Sequence, residues 1–173
     1  MEYDFLTEKN KHNVKIWSWV IICISAYFIL NCLSVVRAEI VLRFFSHLSV
    51  FDQNVDIRLP FPAYMVAVKV IKLVIFIPIL IYGIQALHFK EQGRSTLITL
   101  LYAGMVITLI DPLTQIIFVN GLTIPFPEGF HFLSRIFKTF TYIFTYSGAI
   151  IFSVVFFFCI KFFSKEEIKK LFI

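Results

Sequence analysis

The stretch from Tyr64 to Val119, YMVAVKVIKLVIFIPILIYGIQALHFKEQGRSTLITLLYAGMVITLIDPLTQIIFV, decides the fold. It reads as two long apolar runs, 64–87 and 97–119, joined by the polar turn Lys90-Glu91-Gln92-Gly93-Arg94. Each run is long enough to cross a bilayer, which takes about 20 apolar residues. The first run carries Lys69 and Lys72; the second carries Asp111, followed by Pro112. Lys72 lies as far before the middle of the turn as Asp111 lies after it. An antiparallel hairpin therefore predicts an ammonium and a carboxylate at one depth, about 12 Å inside the helix ends at ~1.5 Å per residue. Ionisable groups at such depth usually face a bundle interior or a watery cavity, and pair. Lys69, one turn further out, either reaches the same carboxylate or snorkels to the surface. The pair reads first as an ion pair that fixes the hairpin, and second as a gate or relay group.

Outward from the hairpin, the composition agrees with a membrane chain. Of 173 residues, 59% are hydrophobic and mean hydropathy is +0.85, well above the ~45–50% apolar content of soluble domains. Two further spans follow, 16–36 and 139–160. The first begins at Trp17 and Trp19, whose amphipathic rings favour the headgroup level. Its apolar run is longer than the ~7–15 residues of a signal peptide, and Val36-Arg37-Ala38 is a poor cleavage site, so it is expected to be retained. After it, Ile40, Val41, Phe44, Phe45 and Leu48 recur at helical spacing, which predicts a short amphipathic helix lying in the interface. A continuation of the first helix is the competing reading. Residues 52–58 read as a solvated turn. Pro78 and Pro112 sit inside spans, where neighbours can satisfy the freed carbonyls. Gly93 suits the end of one helix and Ser95 the cap of the next. Phe126, Phe130 and Phe132 suit a loop that dips into the headgroups. Ser164 and Glu167 have the spacing of a capping box. The expected architecture is all-α: one transmembrane domain over 1–173, a four-helix bundle with a short interfacial helix after the first span.

Charge sets the orientation. The net charge is +5, and it sits mostly outside the apolar runs. That pattern suits lipid contact and topology rather than nucleic acid. With both termini on one side, that side holds Lys9, Lys11, Lys15, Lys90, Arg94, Lys161, Lys165, Lys169 and Lys170; the other holds Arg37, Arg43, Arg58, Arg135 and Lys138. Nine against five favours cytoplasmic termini.

The remaining candidates concern packing. Thr141, Thr145, Ala149 and Ser153 fall at four-residue steps on the fourth span, a stripe that lets helix backbones approach closely. Asn31, near the outer end of the first span, needs a partner within the bundle or across a subunit boundary. Cys23, Cys32 and Cys159 form no CxxC pair and read as packing residues. His12, His47, His88 and His131 show no metal-ligand spacing, and no catalytic signature is present, so neither metal, cofactor nor catalytic site is expected.

In span count, length and end placement, the chain resembles two kinds of small bacterial protein. One is the four-span immunity proteins against pore-forming colicins; the other is the membrane subunit of the Kiwa anti-phage system. The resemblance is one of hydropathy, carries no motif, and implies a protein that works by recognising something in the membrane. The functional expectation is a bacterial inner-membrane subunit or sensor. It would act by binding and assembly, in anti-phage defence or toxin immunity, as a homo-oligomer with a cytoplasmic partner at Lys90–Arg94 and Lys161–Ile173. The alternative is a small oligomeric channel or transporter using Lys72 and Asp111.

Overall fold

A computed structural model of the chain describes residues 2–47, 62–121 and 131–172. All of its regular structure is helical: α1 (Glu2–His47), α2 (Ala63–Leu87), α3 (Glu91–Gly121), α4 (His131–Phe163) and the single-turn α5 (Glu166–Lys169). Four of these helices are long and apolar enough to cross a membrane. The backbone reason is general: a bilayer offers no water to unpaired amides and carbonyls, so each apolar run must satisfy them internally. The chain is a multi-pass all-α bundle, as its hydropathy requires.

The separate interfacial helix does not form within the described residues. Up to His47 the chain continues α1, and Ile40 and Val41 are exposed on that same helix. No glycine or proline interrupts residues 31–47, so nothing ends the helix there. Leu48, the turn at 52–58 and the loop aromatics Phe126 and Phe130 lie outside the described residues; Phe132 is exposed on the first turn of α4.

The turn between α2 and α3 differs from expectation. α2 closes at His88, and Phe89 takes the left-handed conformation usual for glycine, with φ 58°. The Phe89 amide donates to Ala86 O and the Lys90 amide to Gln85 O, at 3.0 and 3.2 Å, pairing two of the last carbonyls. The Phe89 ring meets Phe172, with centroids 5.8 Å apart, a tertiary contact that favours this conformation. α3 begins directly at Glu91, so Gly93 and Ser95 lie inside it. Gly93 serves close approach instead: a Cβ there would stand 2.7 Å from Gln85 Cβ and 3.0 Å from Ala86 N. The capping box at Ser164 is also absent, because Lys165 takes the N-cap position of α5 without a side-chain bond.

Consecutive helices pack along their lengths, while α1 and α4 touch sparsely. Their aromatic contacts are Trp17–Phe162, Tyr27–Phe152, Phe28–Phe152 and Phe28–Phe156, at 4.8–6.4 Å between centroids. The core holds Phe28, Phe76, Ile79, Leu97, Leu101, Phe156 and Phe163. Lipid tails are as apolar as these side chains, so the core contributes dispersion and shape more than transfer energy, and polar contacts gain weight in fixing the packing. At the end that carries both termini, Arg94 fastens three elements. Its Nη1 donates to Phe163 O at 2.9 Å, one of the orphan carbonyls at the end of α4. Nε and Nη2 donate to the Glu91 carboxylate at 2.7 and 2.5 Å. Phe172 lies 6.0 Å beneath the guanidinium and, with Ile168, is buried against the bundle.

Candidate functional site: a buried lysine–aspartate–lysine centre

The hairpin register brings α2 and α3 together at one carboxylate. Lys69 and Lys72 lie three residues apart on α2, hence on one face. Asp111 stands opposite on α3. Lys72 Nζ donates to Asp111 Oδ2 at 2.7 Å, and Lys69 Nζ donates to Oδ1 and Oδ2 at 2.9 Å each. All three residues are buried, at 2–5% exposure. Gln115, one turn along α3, adds a longer bond from Nε2 to Oδ2 at 3.3 Å. It accepts in turn from Thr145 Oγ1 of α4, also at 3.3 Å. The Lys72 ammonium sits 4.4 Å over the Phe28 ring of α1, a cation–π contact worth about 2 kcal/mol when desolvated. Four helices thus meet at one centre.

The expected Lys72–Asp111 pair is present, and Lys69 binds the same carboxylate rather than reaching the surface. Asn31 is exposed on α1. It lines two cavities flanking the centre. One cavity, about 220 Å³, opens between α1 and α4 and is lined by Tyr27, Phe28, Asn31, Lys72, Thr108, Asp111, Gln115, Phe144, Thr145 and Gly148 among others. The second, about 280 Å³, lies between α1, α2 and α3 beside Lys69, Gln115 and Val119.

The stripe on α4 is divided. Thr145 reaches Gln115 and Ala149 is buried, so this part faces into the bundle. Thr141 turns its hydroxyl back to Phe137 O at 2.9 Å, and the Ser153 hydroxyl is buried without a partner. Cys32 and Cys159 are buried free thiols and Cys23 is exposed.

Two contributors were not singled out from the sequence: Gln115 and Phe28. Gln115 carried a readable signal, a polar residue one turn from Asp111 inside an apolar run. Thr108 is buried, lines the first cavity, and its hydroxyl has no partner among the described residues. Phe28 is one of 22 phenylalanines, and nothing in its spacing distinguishes it.

Chemically the centre holds two ammonium groups and one carboxylate. Among the described residues it has no second acid for proton exchange between like groups, and its formal balance is one positive charge. The other buried acid among the described residues, Glu39, lies seven residues beyond Cys32 on α1, about 10 Å further along the helix. No protein-family model, curated protein or solved structure matches the chain.

Proposed function

We propose that this chain acts by binding and assembly, as a membrane subunit or sensor of the bacterial inner membrane with both termini in the cytoplasm. The Lys69–Asp111–Lys72 centre holds the bundle in shape, and the end carrying the termini meets a partner. One observation carries this reading: the α2–α3 interface is apolar between the centre and that end. From Phe76 down α2 the buried residues are Phe76, Ile79, Gly83 and Ala86; from Gly104 down α3 to Arg94 they are Gly104, Leu101 and Leu97. Phe28 and Phe156 pack against this face from α1 and α4, whose buried hydroxyls on this side are those of Ser18, Ser25 and Ser153. A single copy therefore offers no polar side-chain path along this interface from the centre to Arg94, which disfavours permeation.

At the terminal end, the contact surface is narrower than the sequence suggested. Arg94, Ile168 and Phe172 are used inside the molecule, whereas Lys90, Gln92, Lys161, Lys165, Lys169 and Lys170 are exposed. The basic excess at this end supports its cytoplasmic placement.

Reconstitution tests the reading. Proteoliposomes loaded with KCl and a pH dye should leak no faster than protein-free vesicles. A conductance abolished by Asp111→Asn would favour the channel reading instead. Native mass measurement in detergent tests assembly, and monomers alone would remove the homo-oligomer. For defence, cells carrying the chain should resist a phage or a pore-forming colicin; unchanged plating and survival in both challenges would remove that part.

A further inference from the structure

We propose that the cavity between α1 and α4 binds the anionic headgroup of a membrane lipid, with Lys72 fixing the charge. This deepens the binding role above and rests on it.

Charge is the first argument. Asp111 is shared by two lysines, and the formal balance of the centre leaves one positive charge beside the cavity. Buried charges in a membrane persist where they are paired or face a polar space. Lys72 has one carboxylate bond and one aromatic neighbour, and it lines the cavity. An anion is the group that completes it.

Unpaired hydrogen-bonding groups are the second. Thr108 lines the cavity at 3% exposure with a hydroxyl that has no partner among the described residues. Pro112 has no amide hydrogen, so the Thr108 carbonyl lacks its usual helical donor. Asn31, exposed at the cavity edge, adds a polar side chain at its mouth. Buried polar groups without partners in a native fold call for a bound species.

The third argument is access. Tyr27 and Phe144 flank the cavity and are 54% and 71% exposed on spans that face the bilayer. The route in is therefore lateral, from lipid. The cavity, about 220 Å³, suits a headgroup whose chains stay outside along α1 and α4. Space lies open in front of Gly148, where a Cβ would meet nothing within 4 Å.

The test is native mass spectrometry of the full chain in neutral detergent. It is titrated with phosphatidylglycerol, with phosphatidylcholine of the same acyl chains, and with inorganic phosphate. The wild type should prefer phosphatidylglycerol over phosphatidylcholine by about tenfold, a difference of ~1.4 kcal/mol. Lys72→Met should bring the two lipids close to parity, while Lys69 and Asp111 still pair one to one. Gly148→Leu, which fills the cavity and leaves every charge in place, should lower phosphatidylglycerol binding to a similar degree. Equal binding of both lipids by the wild type overturns the proposal. So does a preference unchanged in both variants, which would place the lipid on surface lysines. Phosphate displacing phosphatidylglycerol at equal concentration would make the ligand a free anion and also overturn it. Ion flux through the vesicles described above would sink the binding role itself, and that readout is independent of lipid preference.

Discussion

Removing the carboxylate of Asp111 should damage this protein far more than removing either lysine. Both ammonium groups bond Oδ2, at 2.9 and 2.7 Å, so they stand no more than about 5.6 Å apart. With Asp111→Asn they face each other across a neutral amide. Two like charges at that distance repel by about 3 kcal/mol at an effective dielectric of ~20. Stranding buried charge typically costs about 3–5 kcal/mol, so a loss in that range is expected. Lys72→Met is different. It deletes one charge-assisted bond, worth about 1.5–3 kcal/mol, but also removes the excess positive charge and leaves Lys69 on both carboxylate oxygens. A net loss of about 1–2 kcal/mol is expected. Combining Lys72→Met with Asp111→Asn should recover part of the Asp111→Asn loss, because only Lys69 remains and it lies one turn nearer the helix end. The exchange Lys72→Asp with Asp111→Lys keeps the charge set and should be milder than Asp111→Asn. Unfolding by sodium dodecyl sulfate in mixed micelles, followed by Trp17 and Trp19 fluorescence, reads these differences. A Lys72→Met protein as unstable as Asp111→Asn, or a double variant no better than Asp111→Asn, would refute the shared-carboxylate reasoning.

Three further outcomes are expected. Gly93→Ala should destabilise by about 1–3 kcal/mol in the same assay, because its Cβ would stand 2.7 Å from Gln85 Cβ and 3.0 Å from backbone atoms of α2. Arg94→Met should remove the bond to Phe163 O at the end of α4 and the guanidinium over the Phe172 ring, which hydrogen exchange over residues 166–172 would report as faster exchange; unchanged protection there means that Arg94 does not hold the tail. Single cysteines at Asn54 and Gln92, in a background lacking Cys23, Cys32 and Cys159, should label from outside intact cells at Asn54 only; labelling at Gln92 alone inverts the topology.

The centre was legible because helix rise is constant and the turn is short. Equal counting from the turn placed Lys72 opposite Asp111, and three-residue spacing put Lys69 on the same face. Its support was less legible. Gln115 could have been read from its spacing to Asp111, but the Phe28 ring under Lys72 could not, since contacts between α1 and α2 depend on packing that no local pattern encodes. Gly93 was misread as a helix end because glycine beside a polar turn usually is one; here Phe89 takes that conformation, and its contact with Phe172 is invisible in local sequence. The extension of α1 past the first span was readable from the lack of a breaker, against an amphipathic pattern that pointed to a separate helix. The stripe on α4 was read as a seam, and Thr145 and Ala149 do face inward. Lys90–Arg94 reads as one polar contact turn in sequence, yet folding turns Arg94 into a clasp and leaves Lys90 at the surface.

The central claim is that one carboxylate serves two lysines inside the membrane. Solid-state NMR on bilayer-embedded protein, with ¹³C at aspartate carboxyls and ¹⁵N at lysine side chains, measures this directly. Asp111 Cγ should be dephased by two nitrogens at ion-pair separation, consistent with contacts of 2.7 and 2.9 Å, and by one nitrogen after Lys72→Met or Lys69→Met. Dephasing by a single nitrogen in the wild type, or none, would contradict the shared centre.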